Sequence, residues 1–381
     1  MKRLAPLGLV CVVLGLLVAP ASSVAVAAPP CVTPTGVYKD PPKWSQKVTE
    51  TKDVLPLATG AGQTVAVIGT GVDPHNPQFG SRVTVLGGGG DDCDGRGTFA
   101  AGIVAAQPNP ATTFVGMAPG ARLLGVKYTQ AMTNGNDAEP DPNALASAIT
   151  NSVSSGATVI LVVLPAYRTT PALTTAVRNA INAGVVVVSP AMGTQQGVKT
   201  YPTALPGVIG VGAVDDKGAP LQTESGDYIT MVAPGADVVS TSAKTAGVGQ
   251  IWGLGDHPPI YSGAAYVAGA VALVRSYRPG LNPEQVANRL IATANRPPSG
   301  GRDPKLGWGM LDVTAAVTAE LPGEREGDSR PEFIVPAAAA VEPAPHDRAP
   351  GWLAVGGVVL GVLAVVAVRV YRRGQARGWR P

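Results

Sequence analysis

The sequence predicts an α/β fold in which a central, mostly parallel sheet carries helices on both faces, plus one C-terminal transmembrane helix. Three observations lead there. Short β-branched apolar runs, beginning with "TVAVIGTGV" (Thr64–Val72), alternate with longer segments of helical composition, the pattern of a parallel sheet buried on both sides. Several helical segments open on a capping residue followed by proline. A separate apolar run, Trp352 to Val368, stands near the C-terminal end at the lower length limit of a bilayer span.

Taken in order, Lys2 and Arg3 precede an apolar run from Leu7 to Val18 and the small residues Ala25-Val26-Ala27-Ala28. That is the layout of a cleavable secretory signal over residues 1–28, with an uncleaved membrane anchor as the alternative. Residues 29–60 form an N-terminal extension containing several prolines. From 61 to 321 strands and helices alternate. Helical composition at Gly97–Ala106 is followed by a strand at Ala121–Tyr128 and a helix at Asp141–Ser155. The strand "TVILVVL" (Thr158–Leu164) leads to a helix at Thr170–Ala183, with Thr170 as cap and Pro171 in the first turn. Strands "VVVVS" (Val185–Ser189) and "VIGVGAV" (Val208–Val214) follow, and Asn282 with Pro283 opens a helix to Ala294. Residues 322–350, rich in Pro, Ala and charge, read as a flexible tether. The transmembrane helix is placed at 351–371 and a basic cytoplasmic tail at 372–381. Arg369, Arg372, Arg373, Arg377 and Arg380 orient that tail inward and leave the large domain outside the membrane.

Charge excludes one class of partner. A net charge of +3, without a basic stripe interleaved with aromatics, argues against nucleic-acid binding. Of three cysteines, Cys11 leaves with the signal, so Cys31 and Cys93 remain as an even pair in an oxidising compartment. A disulfide between them is the default and two free thiols the alternative; closing a loop of about 60 residues contributes about 4 kcal/mol by chain-entropy arithmetic. Two cysteines without histidine partners do not make a zinc site, no carboxylate cluster at calcium-ligand spacing stands out, and no cofactor is expected.

Three segments together resemble the subtilisin-like serine proteases, the subtilases, over roughly Ala61 to Val317. That family has Asp-Thr-Gly at a strand end, His-Gly-Thr at a helix start and Gly-Thr-Ser before a helix beginning Ala-Ala-Pro. The corresponding residues here are Gly69-Thr70-Gly71, Arg96-Gly97-Thr98 and "PIYSGAAYVAGAVALV" (Pro259–Val274). "VGMAPGARL" (Val115–Leu123), "ITMVAPGADVVST" (Ile229–Thr241) and "GWGMLDVTAAV" (Gly307–Val317) add secondary matches in the same order. The signal, the cysteine-bearing extension, "CDGRGT" (Cys93–Thr98) and the C-terminal span narrow the resemblance to the mycosins, membrane-anchored subtilases of type VII secretion systems. It implies a disulfide joining the extension to the histidine segment, for which Cys31 and Cys93 are the equivalents, and protein partners in a secretion complex.

The chemistry of that resemblance is altered at four positions. A serine protease needs a hydroxyl nucleophile, an imidazole that takes its proton and a carboxylate that holds the imidazole. Gly69 stands where the Asp belongs and Arg96 where the His belongs, and an arginine guanidinium does not accept a proton at physiological pH. Alignment through "YVAG" puts Tyr261 at the nucleophile, with Ser262 one residue late. Gly193 replaces the oxyanion Asn, whose role Thr194 or Gln195 would have to take. These changes predict a pseudoprotease with no catalytic residues. An active endopeptidase with a displaced triad of His257, Ser262 and a carboxylate such as Asp73 is one alternative; a receptor that holds peptide in the remnant cleft without cleaving it is another. His75 reads as a loop residue, and Arg96 as pairing with Asp92 or Asp94 at the surface.

Overall fold

The computed structural model describes residues 31, 36–130, 139–193, 197–243, 245–248, 259–322, 324, 368–369 and 372–374. Contacts divide the chain into one unit ending at Glu324 and a second, Arg325–Pro381. The signal segment, almost all of the tether and almost all of the proposed transmembrane segment lie outside the described residues, as does His257. The start of the expected tether is corrected: Pro322 and Glu324 belong to the folded unit, where the Glu324 side chain is held by Arg289. Among the described residues no helix is long and apolar enough to cross a membrane.

The strands of the main sheet are β1 (Thr64–Gly69), β2 (Val83–Leu86), β3 (Arg122–Lys127), β4 (Val159–Val162), β5 (Val186–Pro190), β6 (Ile209–Val214) and β7 (Ile229–Pro234). They lie in the order β2-β3-β1-β4-β5-β6-β7, and every pairing is parallel. The continuous apolar runs follow from burial on both faces, because successive side chains of a strand alternate between faces. Val65 and Val67 of β1 enter one core, whereas Ala66 and Ile68 enter the other. The first core is completed by α2 (Arg96–Ala105), α5 (Tyr261–Tyr277), α6 (Pro283–Thr293) and α7 (Val313–Thr318); the second by α3 (Pro142–Ser154) and α4 (Pro171–Asn182). A short α1 (Trp44–Val48) and a ribbon of β8 (Ser240–Ser242) with β9 (Thr245–Val248) complete the elements.

The predicted caps form. Asp141 accepts from Asn143 N–H, Thr170 from Leu173 N–H, and Asn282 makes a capping box with Gln285. The sequence-derived strands do not include β2, whose four residues are half-buried or exposed and carry no alternation, nor β7, noted only as a family match, nor the β8–β9 ribbon. All residues of α5 from Tyr261 to Val274 are buried, and the small residues among them let it run against the sheet and α2. Gly269 shows how close that approach is, since a Cβ there would lie 2.5 Å from the Met117 Cβ.

The extension is part of the folded unit. Tyr38 N–H donates to Gly247 O, Trp44 Nε1 to Ala236 O (3.1 Å), and Lys43 pairs with Asp237 at 2.6 Å. Cys31 is bonded to Cys93, closing a sequence separation of 62 residues just ahead of α2. Cys93→Ser is therefore expected to lower unfolding free energy by about 4 kcal/mol, the value for a loop of this size. Denaturant titration with and without reductant checks this: the variant's midpoint should match that of the reduced protein and ignore the reductant.

Candidate functional site

The carboxyl edge of a parallel sheet, where neighbouring strands leave in opposite directions, is where such folds place their sites. Here β1 lies between β3 and β4, and Gly69 ends it. The Gly69 carbonyl accepts the Tyr128 amide at 3.0 Å. A Cβ at Gly69 would lie 3.1 Å from the Cβ of the fully buried Val163, so a side chain there requires Val163 to give by a few tenths of an ångström.

The turn after β1 is tied to the start of α2. Thr70 Oγ1 accepts the Gly97 amide (3.1 Å), and the Asp73 amide donates to Thr98 Oγ1 (2.9 Å). Gly97 permits this approach, because a Cβ there would fall 1.8 Å from Gly71 O. The organiser is Asp92, which the sequence offered only as a surface partner for Arg96 and which is buried. Its Oδ1 accepts from the Thr70 hydroxyl (2.7 Å) and the Gly95 amide (2.8 Å); its Oδ2 accepts from the Thr98 amide and hydroxyl, both at 2.6 Å. A carboxylate at a helix N-terminus meets otherwise unpaired N–H groups and the positive end of the dipole. Burial raises the Asp92 carboxyl above its ordinary value, and the hydrogen bonds from Thr98 and Thr70 oppose that rise.

Arg96 is the first residue of α2, with Nε 3.3 Å from Asp94 Oδ1. The expectation of a surface pair with Asp92 or Asp94 is corrected in one respect: the side chains of Arg96 and Asp94 are only 8% and 4% exposed. Buried charges require close partners, and this arginine is built into the interior of the site. Tyr261 opens α5, buried, with its ring edge-on to Phe99 at 6.2 Å between centroids. Burial pushes the Tyr261 phenol up, with the positive charge of Arg96 acting against it, so the hydroxyl stays protonated at neutral pH.

Ser262, one residue further, is fully buried, and its Oγ has no hydrogen-bond partner among the described residues. Asp73, the carboxylate of the displaced-triad alternative, has Oδ1 3.2 Å from Nδ1 of His75, whose side chain is 86% exposed. His75 sits in the loop after β1, and His257 cannot be placed against either Asp73 or Ser262, since it lies outside the described residues.

Gly193 follows β5, against which α5 packs. Its amide donates to Glu224 Oε2 (2.7 Å), and its carbonyl accepts the Thr223 hydroxyl (2.6 Å). A Cβ at Gly193 would lie 2.7 Å from the Val198 carbonyl oxygen, so an asparagine cannot stand there without moving backbone. Glu224 is fully buried and also accepts the Thr200 amide (2.8 Å) and hydroxyl. No local pattern signals Glu224, because its partners lie 24 and 31 residues away. Thr194 and Gln195 lie outside the described residues. Among the described residues no group of His, Cys, Asp and Glu could hold a metal ion.

A seven-stranded parallel sheet, with α2 and α5 presenting their first turns beside the end of β1, defines a subtilisin-like peptidase architecture. The chain belongs to the Subtilase family, whose sequence model matches residues 60–309. It is 32% identical over 377 residues to Mycosin-1 of Mycolicibacterium smegmatis, covering 85% of this chain and 83% of that one. Against Mycosin-1 of Mycobacterium tuberculosis it is 33% identical over 348 residues, covering 78% and 77%. Among solved structures it resembles MycP1 from Mycobacterium smegmatis, with a TM-score of 0.66, 31% identity and coverage of 79% of this chain and 90% of that one. A chain of the periplasmic assembly of an ESX-5 inner membrane complex also matches, with a TM-score of 0.63, 26% identity and coverage of 83% and 94%. The chain is thus a mycosin-like subtilase.

Proposed function

We propose that this chain is a membrane-anchored, extracytoplasmic pseudoprotease that serves a type VII secretion system by contact and not by peptide cleavage. The observation that carries the reading is Arg96: a guanidinium occupies the position of the proton acceptor and is held there by a buried aspartate. Three others support it: a Cβ at Gly69 would press on Val163, a buried tyrosine, Tyr261, stands at the nucleophile position, and a Cβ at Gly193 would meet the Val198 carbonyl oxygen. Loss of a triad member costs about 10⁴ to 10⁶ in turnover, and an oxyanion donor about 10² to 10³ more. A scaffold needs surface and anchor only. The mycosin relatives and the matching chain of an ESX-5 inner membrane assembly support secretion partners of that kind. The signal and the apolar segment at 351–371, with its arginines, support an anchored domain outside the membrane and a cytoplasmic tail.

The full chain incubated with a fluorophosphonate is expected to carry no adduct by intact mass. Ser262→Ala is expected to raise stability by about 1 kcal/mol, since it removes a buried hydroxyl without a partner. A stoichiometric adduct abolished by Ser262→Ala would establish the displaced triad instead. For the secretion role, the membrane complex from cells lacking the chain should lose mass on native gels; an unchanged complex counts against it.

A further inference from the structure

We infer that Arg289 and Arg278 form a latch that fixes where the C-terminal segment leaves the folded unit, so that a pull on that segment is borne by α5 and α6 as well as by α7. Arg289, in α6, is 1% exposed and heads the fully buried side chains by size. A guanidinium is buried only when its donors are matched. Each partner of this one lies in the final stretch of the unit. Its Nε donates to Ala316 O, its Nη2 to Val317 O (3.2 Å) and Ala319 O, and its Nη1 to the Glu324 carboxylate. Arg278, directly after α5, adds Nη2 bonds to Ala319 O (3.2 Å) and Glu320 Oε1 (2.9 Å), with its Nη1 4.0 Å from Glu324 Oε2.

These contacts converge on a short helix at the end of the unit. The six residues of α7 are too few to hold a helix by themselves, and the last carbonyls of any helix lack intrahelical donors. Arg289 supplies such donors for α7 from a neighbouring helix. The Glu324 side chain is 9% exposed, and the unit ends at that residue. Tension applied beyond it meets two guanidiniums, one on α6 and one at the end of α5, before it reaches the hydrogen bonds of α7. The planar fork of arginine suits this role, because one side chain bonds several carbonyls and a carboxylate together. The inference is independent of whether the chain cleaves peptides.

Hydrogen exchange on the full chain tests it. Glu324→Gln keeps the side chain's shape and removes its charge. Exchange at the Ala319 amide and the last turn of α7 is expected to rise about tenfold, the factor for losing a charge-assisted hydrogen bond, while α5 and α6 stay unchanged. Arg278→Gln, at a partly exposed position, should raise the same amides by a smaller factor. Pulling the chain by its C-terminus should give first rupture at lower force in Glu324→Gln than in the parent. Unchanged exchange at Ala319 would overturn the latch, and so would equal rupture forces. Faster exchange across the whole unit would overturn it too, since Glu324 would then support the fold at large.

Discussion

A chain carrying Gly69→Asp, Arg96→His and Tyr261→Ser together is expected to remain without measurable peptide turnover, although those changes write the three triad residue types back into the sequence. An aspartate at 69 brings its Cβ to 3.1 Å from the Val163 Cβ, so the carboxylate can enter only if β1 or Val163 gives way. Imidazole placement tolerates errors well under an ångström before rate collapses. The oxyanion would also lack its donor. Adding Gly193→Asn does not repair this, because the new Cβ would sit 2.7 Å from Val198 O and the backbone must move before the side chain can enter. The missing donor alone costs about 10² to 10³ in rate. Fluorogenic peptide turnover and fluorophosphonate labelling of the triple variant measure this. Turnover or labelling restored to the level of an active subtilase would show that the scaffold is intact and only three side chains were exchanged.

Asp92→Ala is expected to cost about 4 kcal/mol of unfolding free energy, about 1 kcal/mol at the low end for each buried donor left without an acceptor. Four donors lose their acceptor at once: the Thr70 hydroxyl, the Gly95 amide, and the amide and hydroxyl of Thr98. Denaturant unfolding reads the loss, and a cost below about 1 kcal/mol would mean that water or a neighbour replaces the carboxylate. The sign of the pH effect follows from burial, which raises this carboxyl in the folded state. The folded chain then binds the proton more tightly than the unfolded chain, so the contribution of Asp92 to stability grows as pH falls through the folded value, until the unfolded carboxyl is protonated too. Asp92→Asn removes that dependence. The stability of the parent relative to Asp92→Asn should therefore rise on acidification from pH 7; a fall would show the hydrogen bonds outweighing burial.

Much of the fold was legible because its signals are local. Thr170 with Pro171 and Asn282 with Pro283 announce helix starts that the structure places at Pro171 and Pro283. The run at Thr64–Val72 announces β1, although the strand ends at Gly69, where the backbone turns toward Asp92 and the start of α2. The edge strand β2 escaped because four residues, none of them buried, leave no periodic mark. At the site, Gly69, Arg96 and Gly193 were visible as departures from a motif. Val163, Asp92 and Glu224 carry no motif, and they occupy or bind what those departures left open.

By itself the sequence determined the alternation of most strands and helices and made a Cys31–Cys93 disulfide the default, because hydrophobic period, capping chemistry and residue identity are all written along the chain. Only the tertiary structure decided that Arg96 is buried against Asp94, that a Cβ at Gly69 would meet Val163, and that two arginines gather the end of the unit at Glu324. Those outcomes depend on which distant segments packing brings within bonding distance, and burial then sets whether a charge is a solvated ornament or a fixed part of the interior.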